Sequence, residues 1–287
     1  MIGFLNVYKP KGITSSAVVG KIRKKFNIKK IGHMGTLDPM AEGILPLAVG
    51  KATRMFDYFL NKTKSYLATF EFGYETDSLD ATGSIVAECN EIPTKSSLET
   101  AIQDKFIGKI KQIPPAFSAK HVNGVRAYDL ARNGQMVDLE PADVEIFDYK
   151  LVNQICENKF EFLICCSSGT YIRSLARDLA KETNSLATMI KLVRIEQGVF
   201  NLESSKSLDE ILSLNKLDDV IIPVDKVFRN YNHLNLNKKE FEKLKNGVRI
   251  DYNKITSPTF LYFENDIVGV AGYENGKLFV KTFLMED

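Results

Sequence analysis

The sequence predicts an α+β fold, because strand-like and helix-like stretches follow one another in mixed order instead of in regular βαβ units. Tyr66, Ala68, Phe70 and Phe72 alternate with Leu67, Thr69 and Glu71, and the run Ile44-Leu45-Pro46-Leu47-Ala48-Val49 is bounded by Gly43 and Gly50. Both patterns read as strands. Val18, Val19, Ile22 and Phe26 recur instead at helical spacing behind the cap candidates Thr14 and Ser15.

In chain order, Ile2 to Val7 reads as a strand, followed by that helix and the short strand Ile31-Gly32-His33. Ala52 to Phe59 is helix-like, and a polar loop from Thr76 to Asp80 leads to a strand at Ser84 to Glu88. A helix from Ser97 to Phe106 is expected to stop at Gly108. From Ile113 to Pro141 the chain turns irregular, punctuated by Pro114-Pro115, Asn123-Gly124 and Asn133-Gly134, with a short amphipathic helix expected at Val125 to Arg132. Val144 to Leu151 and Lys159 to Cys166 read as a hairpin around Glu157-Asn158; Gly169-Thr170 then begins a helix carrying Ile172, Arg173, Leu175 and Leu179. After an apolar run from Leu186 to Ile195 and a short helix near Leu208 to Leu214, the part from about residue 230 reads as β-rich. It holds one helix at Lys238 to Asn246 and strands near Thr259 to Phe263, Ile267 to Tyr273 and Leu278 to Phe283.

Composition bounds the function classes. With 287 residues, 44% hydrophobic and 26% charged, the chain is a globular one of one large or two smaller domains. The first residues lack a signal-peptide core and no stretch approaches a membrane span, so a cytoplasmic protein is expected. Cys89, Cys156, Cys165 and Cys166 form no CxxC pair, and the last three fall in strand-like apolar runs. Reduced core thiols are therefore expected, not zinc ligands or disulfides, and three His give little for a metal site. Residues 1–66 carry 12 Lys and Arg against Asp38, Glu42 and Asp57, a net of +9, whereas the remaining 26 basic and 33 acidic residues sum to −7. Such a basic segment suits a polyanionic partner, although a charge run such as Arg23-Lys24-Lys25 is equally often a solvated face.

That segment surrounds Ile31 to Thr53, IGHMGTLDPMAEGILPLAVGKAT. Asp38 stands in a turn of close glycines, and Pro39 biases it away from the helical region. An isolated Asp-Pro is ordinarily a turn former or cap. This stretch, however, resembles the signature of the TruB-type tRNA pseudouridine(55) synthases. Lys9-Pro10-Lys11-Gly12-Ile13-Thr14-Ser15, Lys64-Ser65-Tyr66 and Gly169-Thr170-Tyr171-Ile172-Arg173-Ser174 resemble that family's other motifs in the same order.

The resemblance implies a pseudouridine synthase fold with a mixed, mainly antiparallel central sheet over residues 1–228. It also implies an RNA-clasping arm at 113–143 and a small PUA-like RNA-binding domain at 229–287. It makes Asp38 the nucleophile, with Tyr66 stacking on the target base and taking part in proton removal from C5, and Arg173 paired with Asp38. Leu192 resembles the family's apolar pocket residue, and His33 a histidine close to the flipped nucleotides. Lys9 and Lys64 are carried as substrate-binding residues, Lys9 with a strand-end contact as its alternative. Val193 stands where members commonly have Arg and Thr188 where many have His, which puts RNA contacts near that strand in doubt. No metal, nucleotide or redox cofactor follows from the chemistry. The implied partner is the tRNA T-arm, bound by a stand-alone monomer with no obligate protein partner and no membrane.

Three other classes are weighed. A noncatalytic RNA-binding or RNA-folding protein has no need of Asp38, Tyr66 and Arg173 together. An Asp-nucleophile phosphotransferase wants a second acid two residues on, where Met40 stands. A guide-RNA-dependent pseudouridylase is closer, but the substantial arm and the absence of long charged tails favour the stand-alone type.

Overall fold

The computed structural model describes residues 1–60, 63–118, 120–122, 125–126 and 139–285. The chain opens with β1 (Gly3–Lys9), α1 (Ser15–Phe26), β2 (Ile31–His33) and β3 (Glu42–Val49). Thr14 caps α1 by accepting the Ala17 amide through its side chain. Where one helix over 52–59 is predicted, a 3₁₀ helix (Gly50–Met55) and the single turn α2 (Asp57–Leu60) follow each other. Then come β4 (Lys64–Phe72), β5 (Tyr74–Thr76), β6 (Ile85–Glu88), α3 (Lys95–Lys105), β7 (Gly108–Gln112), β8 (His121–Val122) and β9 (Val125–Arg126). The long hairpin β10 (Ala142–Cys156) and β11 (Lys159–Cys166) leads to α4 (Ile172–Glu182), β12 (Ala187–Gln197), β13 (Phe200–Asn201), β14 (Lys206–Ser207), α5 (Leu208–Ser213) and α6 (Val224–Phe228).

Ten described strands make one sheet, whose main order is β14-β1-β3-β12-β4-β11-β10-β7, with β2 on β3 and β13 on β12. Its pairs are antiparallel except β1 with β14 and β3 with β12, so the sheet is mixed and mainly antiparallel. The expected alternation in β4 holds: Tyr66, Ala68, Phe70 and Phe72 point into one core with Phe160, Phe162, Leu175 and Leu179. Phe70 and Phe162 rings lie 4.8 Å apart. Truncating such a buried ring costs about 3–5 kcal/mol, so β4 is fixed from beneath by packing.

Two features of β3 make room for a loop. Its Leu47–Val49 end pairs with β2, and its Glu42–Gly43 end pairs with β12. The edge between them is left to residues 34–41, which pass there. Pro46, an odd residue for a central strand, fits because its carbonyl faces this gap and accepts the Met34 amide at 2.8 Å. Its missing N–H faces the same way, so no ladder bond to β1 is lost.

The C-terminal part is a separate five-stranded sheet in the order β15-β17-β18-β19-β16. Its strands are β15 (Asn232–Asn235), β16 (Ile250–Asp251), β17 (Thr259–Phe263), β18 (Asp266–Glu274) and β19 (Lys277–Phe283), with α7 (Lys238–Lys245) against them. It shares a core with the larger sheet, in which Phe228 stacks on Phe260 at 4.8 Å. Lys51 and Arg54 of the 3₁₀ helix donate to the Met285 and Phe283 carbonyls.

Several expectations are corrected. β7 is a strand where the sequence gives only a helix stop and an irregular stretch. It is an edge strand with Lys109 and Lys111 exposed, so it lacks an apolar alternation to read. Of the helix expected at Val125 to Arg132, Val125 and Arg126 pair instead as β9 with β8, and 127–132 lie outside the described residues, as do 119, 123–124 and 133–138 of the expected arm. Cys156 is exposed at the hairpin end and Cys165 half-buried, leaving Cys166 as the buried thiol of the three; all four cysteines are free. Among the described residues no helix is long and apolar enough to cross a membrane.

Candidate active site

The loop 34–41 is tied by side chains reaching up from the surrounding elements. Ser15, at the start of α1, donates to the Leu37 carbonyl (3.0 Å) and accepts the Leu37 amide (2.9 Å) through one hydroxyl. From β12, Gln197 donates to the Met34 carbonyl at 2.6 Å, and Arg194 donates to Gly35 and Thr36 carbonyls at 3.1 and 3.3 Å. Gly43 is required where β3 meets β12, since its φ is +108° and a Cβ would overlap the Arg194 backbone. The loop therefore holds Asp38 at a fixed place, its carboxylate about one-third exposed.

Arg173 grips that carboxylate from α4, with Nη2 3.0 Å from Asp38 Oδ2. The same buried guanidinium reaches Asp80 Oδ2 at 3.5 Å and donates to the Ser78 and Phe117 carbonyls at 3.0 and 3.1 Å. A cation near a helix N-terminus opposes the macrodipole, and here two carboxylates and two carbonyls compensate it. Asp80, which sequence reasoning left inside a polar loop, is itself buried and held by Ser78 Oγ, the Thr82 amide and Thr82 Oγ1. Gln112 of β7 fixes the entrance to α4 by accepting the Tyr171 amide and donating to its carbonyl.

Asp38 and Arg173 divide a cleft into two lobes. The larger, a cavity of about 570 Å³, is lined by Asp38, Lys64, Tyr66, Tyr171 and Leu192 among others. The smaller, about 350 Å³, lies towards Asp77, Ser78, Asp80 and Thr82. The larger has the size and the mixture of apolar walls with few polar groups expected of a small-ligand or single-base pocket. Tyr66 lies on its floor, nine-tenths or more hidden, and burial pushes its phenol up to about 12, opposed chiefly by the Arg194 guanidinium. Lys64 donates to Ser168 Oγ at 2.9 Å, and desolvation, reinforced by Arg194, lowers its ammonium to about 8.

Five of the seven residues singled out in the sequence, Asp38, Tyr66, Arg173, Leu192 and Lys64, thus line one cavity. His33 does not line it. It sits half-buried at the end of β2, with Nδ1 hidden and without a hydrogen-bond partner among the described residues. Burial and then Arg194 push its pKa below the ordinary 6.5, so the imidazole is neutral near pH 7. Lys9 is a correction. It is wholly buried, its ammonium donating to the carbonyls of Ile13 (2.8 Å), Pro10 (3.0 Å) and Pro39 (3.4 Å), which is the strand-end contact and leaves no surface for a phosphate.

Thr188 and Val193 are also buried, with Thr188 Oγ1 donating to the Tyr74 carbonyl at 3.1 Å, so neither presents a side chain to a ligand. The sequence reading missed Tyr171, Asp80, Gln197 and Arg194. Arg194 was legible only as the polar end of Lys191-Leu192-Val193-Arg194, yet it is the largest fully buried side chain described. Among the described residues no group of three or more His, Cys, Asp or Glu converges as a metal ion requires.

Known proteins share this arrangement of elements. The chain resembles Cbf5 in a Cbf5-Nop10-Gar1 complex with a TM-score of 0.74, covering 99% of this chain and 85% of that one at 21% identity. An H/ACA RNP bound to a substrate RNA containing 2′-deoxyuridine gives the same score at 20% identity. At that identity the likeness concerns the fold. In sequence, the chain is 40% identical to the tRNA pseudouridine synthase B of Ehrlichia chaffeensis over 261 residues, 89% of this chain and 88% of that protein. It is 43% identical to that of Rickettsia bellii over 256 residues, 88% and 87% of the two. Residues 23–172 match the family described as TruB family pseudouridylate synthase (N terminal domain), more than half of the chain. By that match and those identities, the chain belongs to the TruB family of pseudouridylate synthases.

Proposed function

We propose that this protein isomerises uridine 55 in the T-loop of tRNA to pseudouridine, with Asp38 as nucleophile and without guide RNA or cofactor. The observation that carries the reading is the Asp38 carboxylate, pinned by Arg173 at 3.0 Å and facing a base-sized cavity floored by Tyr66 and Leu192. The tRNA substrate is supported by relatives about 40% identical over most of the chain that are named tRNA pseudouridine synthase B.

Pseudouridine formation breaks the C1′–N1 bond, turns the uracil and rejoins it through C5. A carboxylate attacking C1′ of the ribose or C6 of the base divides that rearrangement into easier steps. Arg173 aims the Asp38 carboxylate, since its planar guanidinium holds one oxygen and leaves the other free. A stacked or paired uridine must be drawn out of its loop to reach such a pocket. Tyr66 then offers a ring face and Leu192 an apolar wall, Lys64 a cation at the rim, and His33 a neutral imidazole for a nucleotide beside the target.

The division of labour follows the two sheets. Residues 1–228 form the catalytic domain and 229–287 a PUA-like RNA-binding domain, the segment 113–143 acting as the arm that clasps the T-arm. Phe117, in the described start of that arm, already bonds Arg173. The protein acts as a monomer in the cytoplasm, where tRNA is modified.

The test is a T-arm transcript labelled with tritium at uridine C5, incubated with the pure protein. Tritium release into water, confined to position 55, is the expected result; a protein that binds the RNA without release is a binding or folding factor instead.

A further inference from the structure

Arg194 is wholly buried in β12 and meets no carboxylate among the described residues. Its guanidinium donates to the Ile44 carbonyl at 2.9 Å besides those of Gly35 and Thr36. Keeping a cation away from water without a counter-charge is costly, and tethering carbonyls does not require one. Gln197, three residues on, ties the Met34 carbonyl of the same loop with a neutral amide. Lys9, the other buried cation tied to carbonyls, has the Asp38 and Glu42 carboxylates in its surroundings, whereas no carboxylate among the described residues acts on Arg194, so the tether leaves its charge unexplained. Across the ladder Arg194 pairs directly with Tyr66 of β4, so the two side chains stand on the same face of the sheet, and the Tyr66 phenol is the acidic side chain whose charge bears on the guanidinium.

Building on the proposed isomerisation, we infer that Arg194 is a positioning residue that acts through Tyr66, poising its phenol to exchange protons with the uracil. A guanidinium has only donors, so the Tyr66 hydroxyl can meet it only as an acceptor, which leaves its own O–H to point elsewhere. The cavity is where that proton can be used. Once the phenol has given up its proton, the buried guanidinium becomes the counter-charge of the phenolate, a pairing strongest where water is excluded.

The proton balance closes within the site. Uridine carries hydrogen on C5 and none on N1, and pseudouridine the reverse. The phenol proton of Tyr66 passes to N1, which is left bare by glycosidic cleavage. The C5–H bond of the rejoined ring then breaks, its electron pair re-forms the C5=C6 double bond, and its proton restores the phenol. Nothing is consumed, as an isomerisation demands. The high phenol pKa of about 12 supports this order, because Tyr66 starts protonated and acts first as donor.

A double-substitution cycle in single turnover distinguishes this role from simple bracing of the Asp38 loop. Arg194→Lys keeps a charge but not the fork, and should slow pseudouridine formation on the order of 100-fold, a typical acid–base contribution. T-arm RNA affinity should stay within about threefold, since the affected step follows binding. In a Tyr66→Phe background the same change should add less than about threefold, because residues acting as one unit are not additive. Equal losses in both backgrounds, or no loss in the parent, overturn the inference and leave Arg194 as a tether. Should Arg194→Lys fail to fold, Tyr66→Phe alone reads the contact. It withdraws the acidic side chain opposite the guanidinium and should lower the melting temperature by several degrees; an unchanged melt overturns the pairing. A parent protein that releases no tritium refutes the proposed isomerisation instead, while the melting comparison still reports on Arg194 and Tyr66.

Discussion

Arg173 Nη2 lies 3.0 Å from Asp38 Oδ2, so the exposed oxygen-bearing end of the loop and the buried end of α4 meet in one charge-assisted contact. Because the same guanidinium also reaches Asp80, Arg173 is shared between an acid turned to the cleft and an acid locked beneath it. The two acids call for different outcomes on substitution.

Asp38→Asn keeps shape and loses the nucleophile. Tritium release from the labelled T-arm should fall to background while RNA affinity stays near the parent value. Retained turnover would sink the assignment of Asp38. Arg173→Lys should also be impaired although charge is kept, since an ammonium cannot serve both carboxylates and two carbonyls at once.

Asp80→Asn should act mainly through order. Asn preserves the bonds made at Oδ1 but leaves Arg173 short of one counter-charge, and breaking a buried pair costs about 3 kcal/mol. Denaturant unfolding should show that loss, and turnover should fall with it because Arg173 is no longer held from below. An Asp80→Asn protein as stable as the parent would mean that the 3.5 Å contact contributes nothing.

What the sequence disclosed and what it hid separate along physical lines. β4, β3 and α1 were legible because each buries one face, and burial imposes a period of two or an unbroken apolar run. Asp38, Tyr66 and Arg173 were legible through motif resemblance, not through pattern. β7 was not, since an edge strand with lysines outward has no apolar period. Lys9 and Arg194 misled or escaped for a shared reason. A buried cation satisfied by backbone carbonyls has no sequence signature, because its partners are main-chain atoms brought together only by the fold.

Lys64 gives a pH dependence. Its folded pKa of about 8 means that the ammonium at the cavity rim loses its charge above that pH. RNA affinity of the parent should weaken as pH rises through 8, and this limb should vanish in Lys64→Gln. Stability moves the other way. The unfolded chain keeps the proton up to its ordinary 10.5, so between pH 8 and 10.5 it binds more protons than the folded protein, and this residue makes stability rise with pH. Parent and Lys64→Gln affinities with parallel pH profiles would remove Lys64 from the RNA contact.

Tyr66 carries the last prediction. Tyr66→Phe keeps the ring and loses the hydroxyl, whereas Tyr66→Leu loses both. If stacking on the uracil were the whole role, Phe should be nearly normal and Leu weakened by about 1–3 kcal/mol in productive binding. The structure argues against that simple outcome, because Tyr66 is a buried residue opposite the Arg194 cation at the floor of the cavity, where an idle phenol would be a poor choice. Removing it withdraws the group best placed to take the C5 proton after the uracil has turned. Tyr66→Phe should therefore bind the T-arm, break the glycosidic bond and stall late, accumulating RNA that is neither uridine nor pseudouridine at position 55. Single-turnover product formation measured beside affinity separates the cases. Full turnover by Tyr66→Phe would confine Tyr66 to stacking and make Asp38 itself, or water, the acceptor of the C5 proton.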